Sequence, residues 1–354
     1  MSSGVDSSVS AALYASKYPN VKGIFMANWS QTSNCIERDW NDVQRVCADL
    51  SISCERVNFE KEYWHQVFNP MIEMYQRGLT PNPDINCNKF VKFGKMIEYL
   101  TDKYQNSSKK WWLVTGHYAR VMKHKPTGEY HLLRGYSQNK DQSYYLSSIS
   151  SQTLSKILMP IGHYIKPRVR ELAEEFKLHV SDKPDSQGLC FVSQDAKHFR
   201  DFLDEYIESN PGNIITEDGK IWGKHRGLWY ATIGQKSSIS MPQGDEQYNG
   251  VWFVSEKNYD KNELVIVRGS TNPKLFKSRA KVINFEWMIT PEEISQLDMN
   301  QLTFQYQNVI NEAQSSTFTV EFKTPVRALA PGQSFVIYQD CRILGSGIID
   351  ETFS

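Results

Sequence analysis

Two hydrophobic patterns alternate along the chain up to about residue 205. Short apolar runs are typical of buried strands, whereas apolar side chains spaced three or four residues apart are typical of amphipathic helices. Strands are predicted at residues 21–27, 54–59 and 111–117, and helices at residues 9–18, 37–50, 63–77 and 88–104. Strands that alternate with helices of this length predict a doubly wound parallel sheet, and therefore the α/β fold class.

The pattern changes after about residue 205, where helical spacing gives way to short strands separated by Gly, Pro and Asn turns. Such a series is typical of small β-barrels. We therefore predict three domains: an α/β domain at residues 1–205, a central β-rich domain at 206–272 and a C-terminal β-barrel at 273–354.

Composition and charge restrict the class of protein. Hydrophobic residues make up 40% of the 354, and the sequence has no apolar run near twenty residues, so no membrane span is expected. Lys plus Arg and Asp plus Glu both number 40, so a nucleic-acid partner would need a local basic face rather than an overall positive charge. The candidate clusters, each of which is more often ordinary solvated surface, are Lys89, Lys92 and Lys95; Lys220, Lys224 and Arg226; and Lys274, Lys277, Arg279 and Lys281.

Cysteine usage is typical of a protein from a reducing compartment. The six cysteines are too sparse for a disulfide scaffold, and no CxxC pair indicates a zinc site. Two of them occupy distinctive loops. Cys87 lies three residues after Asp84 in a loop that two prolines stiffen, and Cys190 lies beside Gly188 in the stretch DSQGLCF. A single cysteine is more often inert than catalytic, and Cys190 could simply be buried in a strand.

A serine-rich loop, residues 2–7, opens the chain and leads into a helix. Small residues let main-chain N–H groups surround a phosphate, and a helix N-terminus adds a favourable partial charge. The loop lacks the lysine of a Walker A motif, and an ordinary helix cap would use similar residues. No strand precedes it, although phosphate loops usually follow one. We therefore expect a first strand to be missing from this start site, and a targeting segment could be missing with it.

The amino-acid sequence of the serine-rich loop resembles the SGGVDSS loop of the N-type ATP pyrophosphatases, with Ser3 in place of the first glycine. The chain as a whole resembles the bacterial and mitochondrial tRNA-specific 2-thiouridylases, in family order and over essentially its full length. NPD-x-x-CN and KDQSYYL are the most specific of the matches. The matching stretches are residues 2–8, 25–29, 80–89, 115–118, 139–146, 185–191 and 332–334.

The resemblance implies a fold and a reaction. The fold is an adenine nucleotide alpha-hydrolase-like domain followed by two β-rich domains. The reaction is ATP-dependent 2-thiolation of the wobble uridine, U34, in tRNA anticodons. ATP adenylates the C2 oxygen, a persulfide on Cys190 supplies sulfur, and Cys87 frees that sulfur, which leaves a Cys87–Cys190 disulfide.

The resemblance also assigns roles to individual residues. Ser2, Ser3, Gly4, Val5, Asp6 and Ser7 would hold the ATP phosphates, with Mg²⁺ bound indirectly at Asp6, and Met26 and Gly116 would contact the nucleotide. Asn82, Pro83 and Asp84 would surround the target base, Asp84 also serving in acid–base catalysis, while Lys140, Asp141 and Gln142 would contact tRNA. Gln305 and Tyr306 stand where the family has an Arg-Tyr pair facing tRNA, without its positive charge.

The implied partners are tRNAs for Lys, Glu and Gln, and a sulfur-relay protein fed by a cysteine desulfurase. The implied location is the mitochondrion, or the cytoplasm of a bacterium. Three alternatives stay open at this stage. Another pyrophosphate-loop ATPase, such as a GMP or argininosuccinate synthetase, would not need Cys87 or Cys190. A catalytically idle tRNA-binding protein would keep only the fold, and the two cysteines could instead hold an iron–sulfur cluster.

Overall fold

The computed structural model describes residues 1–29, 33–108, 110–185, 199–237, 239, 241, 246, 248–297, 302–304, 310–311 and 316–354. These residues belong to two compact units. The first comprises Met1–Phe68, Pro83–Lys197 and Cys341–Ile343, and the second comprises Asn69–Asn82, His198–Asp340 and Leu344–Ser354. Within the described ranges, no helix is both long enough and apolar enough to cross a membrane.

The helices are α1 Val5–Ala15, α2 Ser33–Asp49, α3 Glu60–Tyr63, α4 Asn69–Gln76, α5 Pro83–Asn86, α6 Met96–Tyr104, α7 Ser151–Leu154, α8 Lys166–Glu175, α9 Phe199–Asp204 and α10 Pro291–Ser295. Two π-helical segments, Trp64–Phe68 and Cys87–Lys95, extend α3 and α5. The strands are β1 Lys22–Ala27, β2 Ser53–Asn58, β3 Leu113–Val114, β4 Ala119–Lys123, β5 Tyr130–Arg134, β6 Ile157–Leu158, β7 Gly212–Thr216, β8 Ile221–His225, β9 Trp252–Asn258, β10 Glu263–Arg268, β11 Phe276–Trp287, β12 Thr303–Phe304, β13 Ile310–Asn311, β14 Phe318–Arg327, β15 Ser334–Gln339 and β16 Arg342–Phe353.

The first unit contains two pairs of parallel strands, the helices packed beside them and the antiparallel pair β4–β5. Strand β1 pairs with β2 in parallel from Lys22–Ser53 to Ala27–Asn58, and β3 pairs in parallel with β6. Helices α1 and α8 share one apolar core because their buried side chains recur at helical spacing, for example Val5 and Val9 against Val169 and Ala173. Parallel pairing with helices in the connections confirms the α/β class predicted for this part.

Two details of the first unit differ from the sequence-based expectation. The strand predicted at 111–117 is limited to Leu113–Val114, and Gly116 beyond it packs against the backbone of Asp6 and Ser7 instead of continuing the strand. The proline loop predicted at 80–84 becomes helical at Pro83, where a proline fits the first turn of a helix because that position needs no N–H donor.

Antiparallel pairing dominates the second unit. One sheet has the order β8-β7-β10-β9, in which only the β7–β10 pair is parallel among the described strands. Its core contains Trp252, Val254 and Leu264. A second, curled sheet has the central order β15-β16-β11-β14 and packs around Phe318 and Phe335. These sheets confirm the predicted β-rich class of this part, and the boundaries at 205 and 272 stay predictions.

The segment Asn69–Asn82 packs within the second unit. The buried ammonium of Lys257 donates to the main-chain oxygen of Gly78 over 2.6 Å, and the N–H of Thr80 donates to Pro331 over 2.9 Å. Gly332 lies against the same segment with a φ of +92°, and a Cβ there would meet the nitrogen of Thr80 at 2.8 Å. Both the left-handed backbone and the close approach therefore require glycine at 332.

Candidate active site

The serine-rich loop (residues 2–7) meets the segment that follows β3. A Cβ built on Gly116 would lie 2.6 Å from the nitrogen of Ser7 and 2.7 Å from the carbonyl carbon of Asp6. Since real side chains do not approach a backbone so closely, a residue other than glycine at 116 would displace the loop. Two segments predicted to contact ATP, more than a hundred residues apart in sequence, are therefore in contact.

Serine side chains fold the serine-rich loop onto itself. The hydroxyl of Ser7 donates to the oxygen of Ser2 over 2.8 Å, and the N–H of Ser2 donates to the Ser7 hydroxyl over 3.2 Å. Gly4 precedes α1 as its N-cap in an extended conformation, and the first turn of the helix receives no side-chain cap there. Val5 is 3% exposed and anchors the loop in the core. The arrangement leaves the start of α1 suited to binding an anion through main-chain N–H groups.

Asp6 is the acidic residue of the loop and has two polar partners from outside it. Its Oδ1 accepts hydrogen bonds from the hydroxyl of Tyr118 over 2.8 Å and from the ammonium of Lys166 over 2.7 Å. Burial, followed by the charge of Asp6, raises the pKa of Tyr118 above its usual value, so the phenol stays a donor. The carboxylate of Asp6 is thus oriented by one neutral donor and one cation.

A second carboxylate, Asp185, forms ion pairs with three cations. Its oxygens lie 2.8 Å from the ammonium of Lys140, 2.8 Å from that of Lys166 and 2.9 Å from the guanidinium of Arg170. Burial alone would raise the pKa of Asp185, but the hydrogen bonds from Lys140 and Lys166 outweigh it and lower the pKa to about 2. Lys166 therefore bridges Asp6 and Asp185 as an ammonium between two carboxylates.

Lys183 provides another cation at the serine-rich loop. Its ammonium donates to the hydroxyl of Ser3 over 2.7 Å and pairs with Asp42 over 2.8 Å. Arg170 fixes the backbone around it by donating to the main-chain oxygens of Ser181 and Lys183. The loop is consequently held from the α8 side of the unit as well as by Gly116.

Cys87 begins the π-helical segment Cys87–Lys95 and is 2% exposed. π-Helical turns occur frequently at functional sites. Burial raises the pKa of Asp84, three residues earlier, while the charge of Lys92 acts in the opposite direction. Burial and the same lysine lower the pKa of His117 to about 3, so this imidazole is neutral at physiological pH. Lys92 thus brings a positive charge near both Asp84 and His117.

The segment 138–146 packs against the residues already described. Asp141 accepts hydrogen bonds from the N–H of Gly135 over 2.8 Å and from the hydroxyl of Ser143 over 2.8 Å. The side-chain oxygen of Gln142 accepts from the N–H of Tyr118 over 2.9 Å. Both side chains fold the segment in this structure, whereas that of Lys140 is 46% exposed. Lys140 is therefore the most accessible of the three residues predicted to contact tRNA.

The remaining predicted site residues have different positions. Met26 is half-buried on β1 between the buried Phe25 and Ala27. Asn82 ends the segment assigned to the second unit, and Pro83 begins α5 of the first. Cys190, Gln305 and Tyr306 lie outside the described residues, so their roles stay predictions. Cys47, Cys54, Cys87 and Cys341, the cysteines whose side chains are described, form no disulfide with one another.

Sequence patterns alone did not single out Tyr118, Lys166 or Lys183. Tyr118 lies in a matching stretch, directly after Gly116 and His117, so its position carried a signal. The two lysines carried none, because their partners Asp6 and Ser3 lie 160 and 180 residues away and only the fold brings them together.

Family models match nearly the whole chain in three consecutive parts. Residues 1–194 match the tRNA methyl transferase HUP domain, residues 200–268 the tRNA methyl transferase PRC-barrel domain, and residues 278–349 the aminomethyltransferase beta-barrel domain. The first of these matches alone covers more than half of the chain.

Full-length relatives share substantial identity. The chain is 49% identical to mitochondrial tRNA-specific 2-thiouridylase 1 of Saccharomyces cerevisiae, over 99% of this chain and 90% of that protein. It is 40% identical to the tRNA-specific 2-thiouridylase MnmA of Limosilactobacillus reuteri, over 100% of this chain and 95% of that protein. The mitochondrial enzyme of Schizosaccharomyces pombe is 37% identical over 99% of this chain and 89% of its own length. These matches show that the chain belongs to the tRNA-specific 2-thiouridylase family, a family of transferases.

Proposed function

We propose that this protein uses ATP to replace the C2 oxygen of the wobble uridine, U34, in tRNA anticodons by sulfur. Full-length identity to 2-thiouridylases supports the substrate and the reaction. The observation that carries the ATP-dependent step is the contact of Gly116 with the backbone of Asp6 and Ser7. That contact joins the anion-binding start of α1 to the end of a parallel strand, where α/β proteins bind nucleotides.

The proposed chemistry has two stages. The C2 oxygen of uridine is a poor leaving group, so it first attacks the α-phosphorus of ATP, forms a C2–O–P linkage and releases pyrophosphate. The terminal sulfur of a Cys190 persulfide then attacks C2. The thiolate of Cys87 attacks the remaining sulfur of Cys190, which breaks the persulfide bond, and AMP leaves with the oxygen. The two thiols supply the two electrons and become a disulfide.

Several side chains fit roles in this scheme. The raised pKa of Asp84 brings its carboxyl group closer to proton exchange near neutral pH, which suits acid–base catalysis. Cys87 is buried and would react in a site from which water is excluded. Asp6 offers the carboxylate oxygen that Mg²⁺ prefers, and Asp185 lies across Lys166 from it. Mg²⁺ bound at Asp6 would neutralise the negative charge of the ATP phosphates.

The proposal includes the cellular setting. The tRNAs would be those for Lys, Glu and Gln, and a relay protein fed by a cysteine desulfurase would supply the persulfide sulfur. The mitochondrial names of the two yeast relatives support a mitochondrial location, and the bacterial relatives make a bacterial cytoplasm the alternative. We retain the division at residues 205 and 272, and the family models matching 200–268 and 278–349 are compatible with it.

Mass spectrometry of tRNA nucleosides tests the proposal. Cells that lack the protein should lose 2-thiouridine derivatives at U34, and the wild-type gene should restore them. The Cys87→Ser variant should not restore them, because a hydroxyl cannot attack the Cys190 persulfide and free its terminal sulfur. Unchanged 2-thiouridine in cells without the protein would overturn the function. An iron–sulfur cluster on Cys87 and Cys190 would instead appear as iron and visible absorbance in the anaerobically purified protein.

A further inference from the structure

We propose that Lys166 and Lys140 bind the pyrophosphate portion of ATP, in the case of Lys140 instead of the tRNA contact that the family resemblance implied, and that the carboxylate of Asp185 occupies their ammonium groups until phosphate oxygens replace it. The inference rests on the proposed use of ATP and adds to it the residues that receive the leaving group. Arg170 acts as a positioning residue that keeps Asp185 beside the two lysines.

The position of Lys166 is the first argument. It is the first residue of α8, and α8 packs on α1 through Val169 and Ala173, so its backbone is fixed relative to the serine-rich loop. Its side chain is only 12% exposed, yet its ammonium lies 2.7 Å from Asp6 at the start of α1. A cation held this close to an anion-binding helix start is suited to a phosphate group that binds there.

The charge balance is the second argument. Five charged groups meet at Asp6 and Asp185, namely these two carboxylates and the cations Lys140, Lys166 and Arg170. The cations exceed the anions by one, which favours the entry of a further anion. If Mg²⁺ takes the carboxylate of Asp6, Lys166 loses one of its two partners, and a phosphate oxygen is the natural replacement.

The hydrogen-bond pattern at Asp185 is the third argument. Its Oδ1 faces Lys166 and Arg170, while its Oδ2 faces Lys140, so one carboxylate receives three charged donors at 2.8–2.9 Å. A phosphate group offers the same acceptor chemistry with more charge and one more oxygen. The low pKa of Asp185 keeps it ionised at physiological pH, so it leaves the lysines by competition with phosphate rather than by protonation.

Arg170 differs from the lysines because its guanidinium also donates to the main-chain oxygens of Ser181 and Lys183 over 2.9 and 3.2 Å. These bonds tie it to the chain just before Asp185. It therefore stays in place when the carboxylate is displaced, while the two flexible ammonium groups follow the incoming phosphate.

Binding of inorganic pyrophosphate to the full-length protein, measured by isothermal titration calorimetry with Mg²⁺, tests the inference without requiring thiolation. Lys166→Met should weaken binding about tenfold, the loss expected for one charge-assisted hydrogen bond. Lys22→Met is the matched control. Lys22, the first residue of β1, also forms an ion pair, in its case with Glu55 over 2.6 Å. The control should bind pyrophosphate as the wild type does.

Asp185→Asn provides the decisive result. A carboxylate that competes with phosphate and a carboxylate that only supports the fold predict different changes in pyrophosphate affinity. Removal of a competing anion should tighten pyrophosphate binding by about threefold. If Asp185 only supports the fold, the variant should bind more weakly or unchanged, and that result would overturn the inference, as would normal binding by Lys166→Met. If Lys166→Met does not fold, Lys166→Arg, which retains the charge, and Asp185→Asn decide instead. Wild-type protein that binds pyrophosphate but does not thiolate tRNA would contradict the proposed function and leave this inference standing.

Discussion

The side-chain amide of Asn88 donates a hydrogen bond to the main-chain oxygen of Tyr145 over 2.9 Å, although 57 residues separate the two. Asn88 is 3% exposed and directly follows Cys87 at the start of the π-helical segment. The bond therefore connects the predicted catalytic cysteine to the segment 138–146, which in turn contacts Tyr118 through Gln142. Two stretches that looked independent in the sequence form one polar framework around the candidate site.

Replacement of Asn88 by Ala should remove that connection. Loss of this buried hydrogen bond should lower the unfolding free energy by about 1–3 kcal/mol. Thiolation should fall as well, because Cys87 loses a neighbouring restraint. Urea denaturation and a thiolation assay measure the two effects. Asn106→Ala, at an exposed position in the same unit, is the control and should change neither. An unchanged Asn88→Ala protein would show that the bond is dispensable.

Replacement of Gly116 by Ala should impair ATP binding selectively. The new methyl group would collide with the backbone of Asp6 and Ser7, and no flexible side chain is available to move away. We expect a loss of ATP affinity of at least about tenfold, with tRNA affinity nearly retained. Gly223→Ala is a suitable comparison, because its methyl group would meet only the end of the Ile239 side chain at 3.1 Å. Equal ATP affinity in both variants would contradict a nucleotide site at Gly116.

The Asp6 carboxylate should be required for adenylation. Asp6→Ala should abolish AMP formation while leaving tRNA binding largely intact, because the side chain serves Mg²⁺ and phosphate rather than tRNA. Tyr118→Phe should have a smaller effect of the same kind, since it removes the 2.8 Å hydrogen bond to Asp6 but retains the buried ring. AMP release in the presence of tRNA measures both. Normal turnover by Asp6→Ala would refute the assignment of the serine-rich loop.

The two thiols should behave differently before sulfur reaches tRNA. Cys87→Ser should still accept sulfur at Cys190 and accumulate a persulfide, whereas Cys190→Ser should accept none, and neither should thiolate tRNA. Their Cα atoms must approach to about 4.4–6.8 Å for the disulfide to form during turnover. Trapping with an alkylating probe, followed by peptide mass spectrometry, locates the sulfur. Label on Cys87 instead of Cys190 would reverse the roles, and full activity of either variant would exclude a two-cysteine mechanism.

The stability of the second unit should rise with pH because of Lys257. Burial lowers the pKa of this lysine from 10.5 to about 7. Between these values the unfolded chain binds more protons than the folded chain, so the free energy of unfolding increases with pH, by at most about 1.4 kcal/mol per unit. Urea denaturation at pH 7, 8 and 9 should show a steeper rise for the wild type than for Lys257→Met. Identical slopes would mean that Lys257 titrates normally in the folded protein.

The sequence was most informative where one pattern extends over a whole element. Strands β1 and β2 and helices α1 and α2 begin or end within a few residues of their predicted positions, because apolar spacing reflects burial along each element. The short strand β3 was overestimated, since pairing ends at Val114 and Gly116 beyond it packs against Asp6 and Ser7. Lys281, a member of one of the basic clusters, pairs with Asp350 and Glu351 in exposed ion pairs, and the low weight given to these clusters stays a prediction.

The candidate site was predictable only in part. The serine-rich loop, the stretch around Gly116 and the Cys87 loop have distinctive sequence motifs. Each of them therefore carried a local signal in the sequence. The charged groups that contact these segments carried no such signal. The ion pairs of Lys166 with Asp6 and Asp185 depend on how α8 packs on α1, and a lysine at the start of an ordinary helix looks like any surface lysine until that packing is known.

The bond between Lys257 and Gly78 has a consequence for synthesis on the ribosome. The segment Asn69–Asn82 leaves the ribosome long before its partners, since 179 residues separate Gly78 from Lys257. At a translation rate of about 5–20 residues per second, this segment waits roughly 10 to 35 s for Lys257. Pro331, which accepts the hydrogen bond of Thr80, is made later still. During that interval the nascent chain exposes a segment whose packing surface does not yet exist, which makes residues 69–82 a natural point for chaperone binding or proteolytic attack on an incomplete chain.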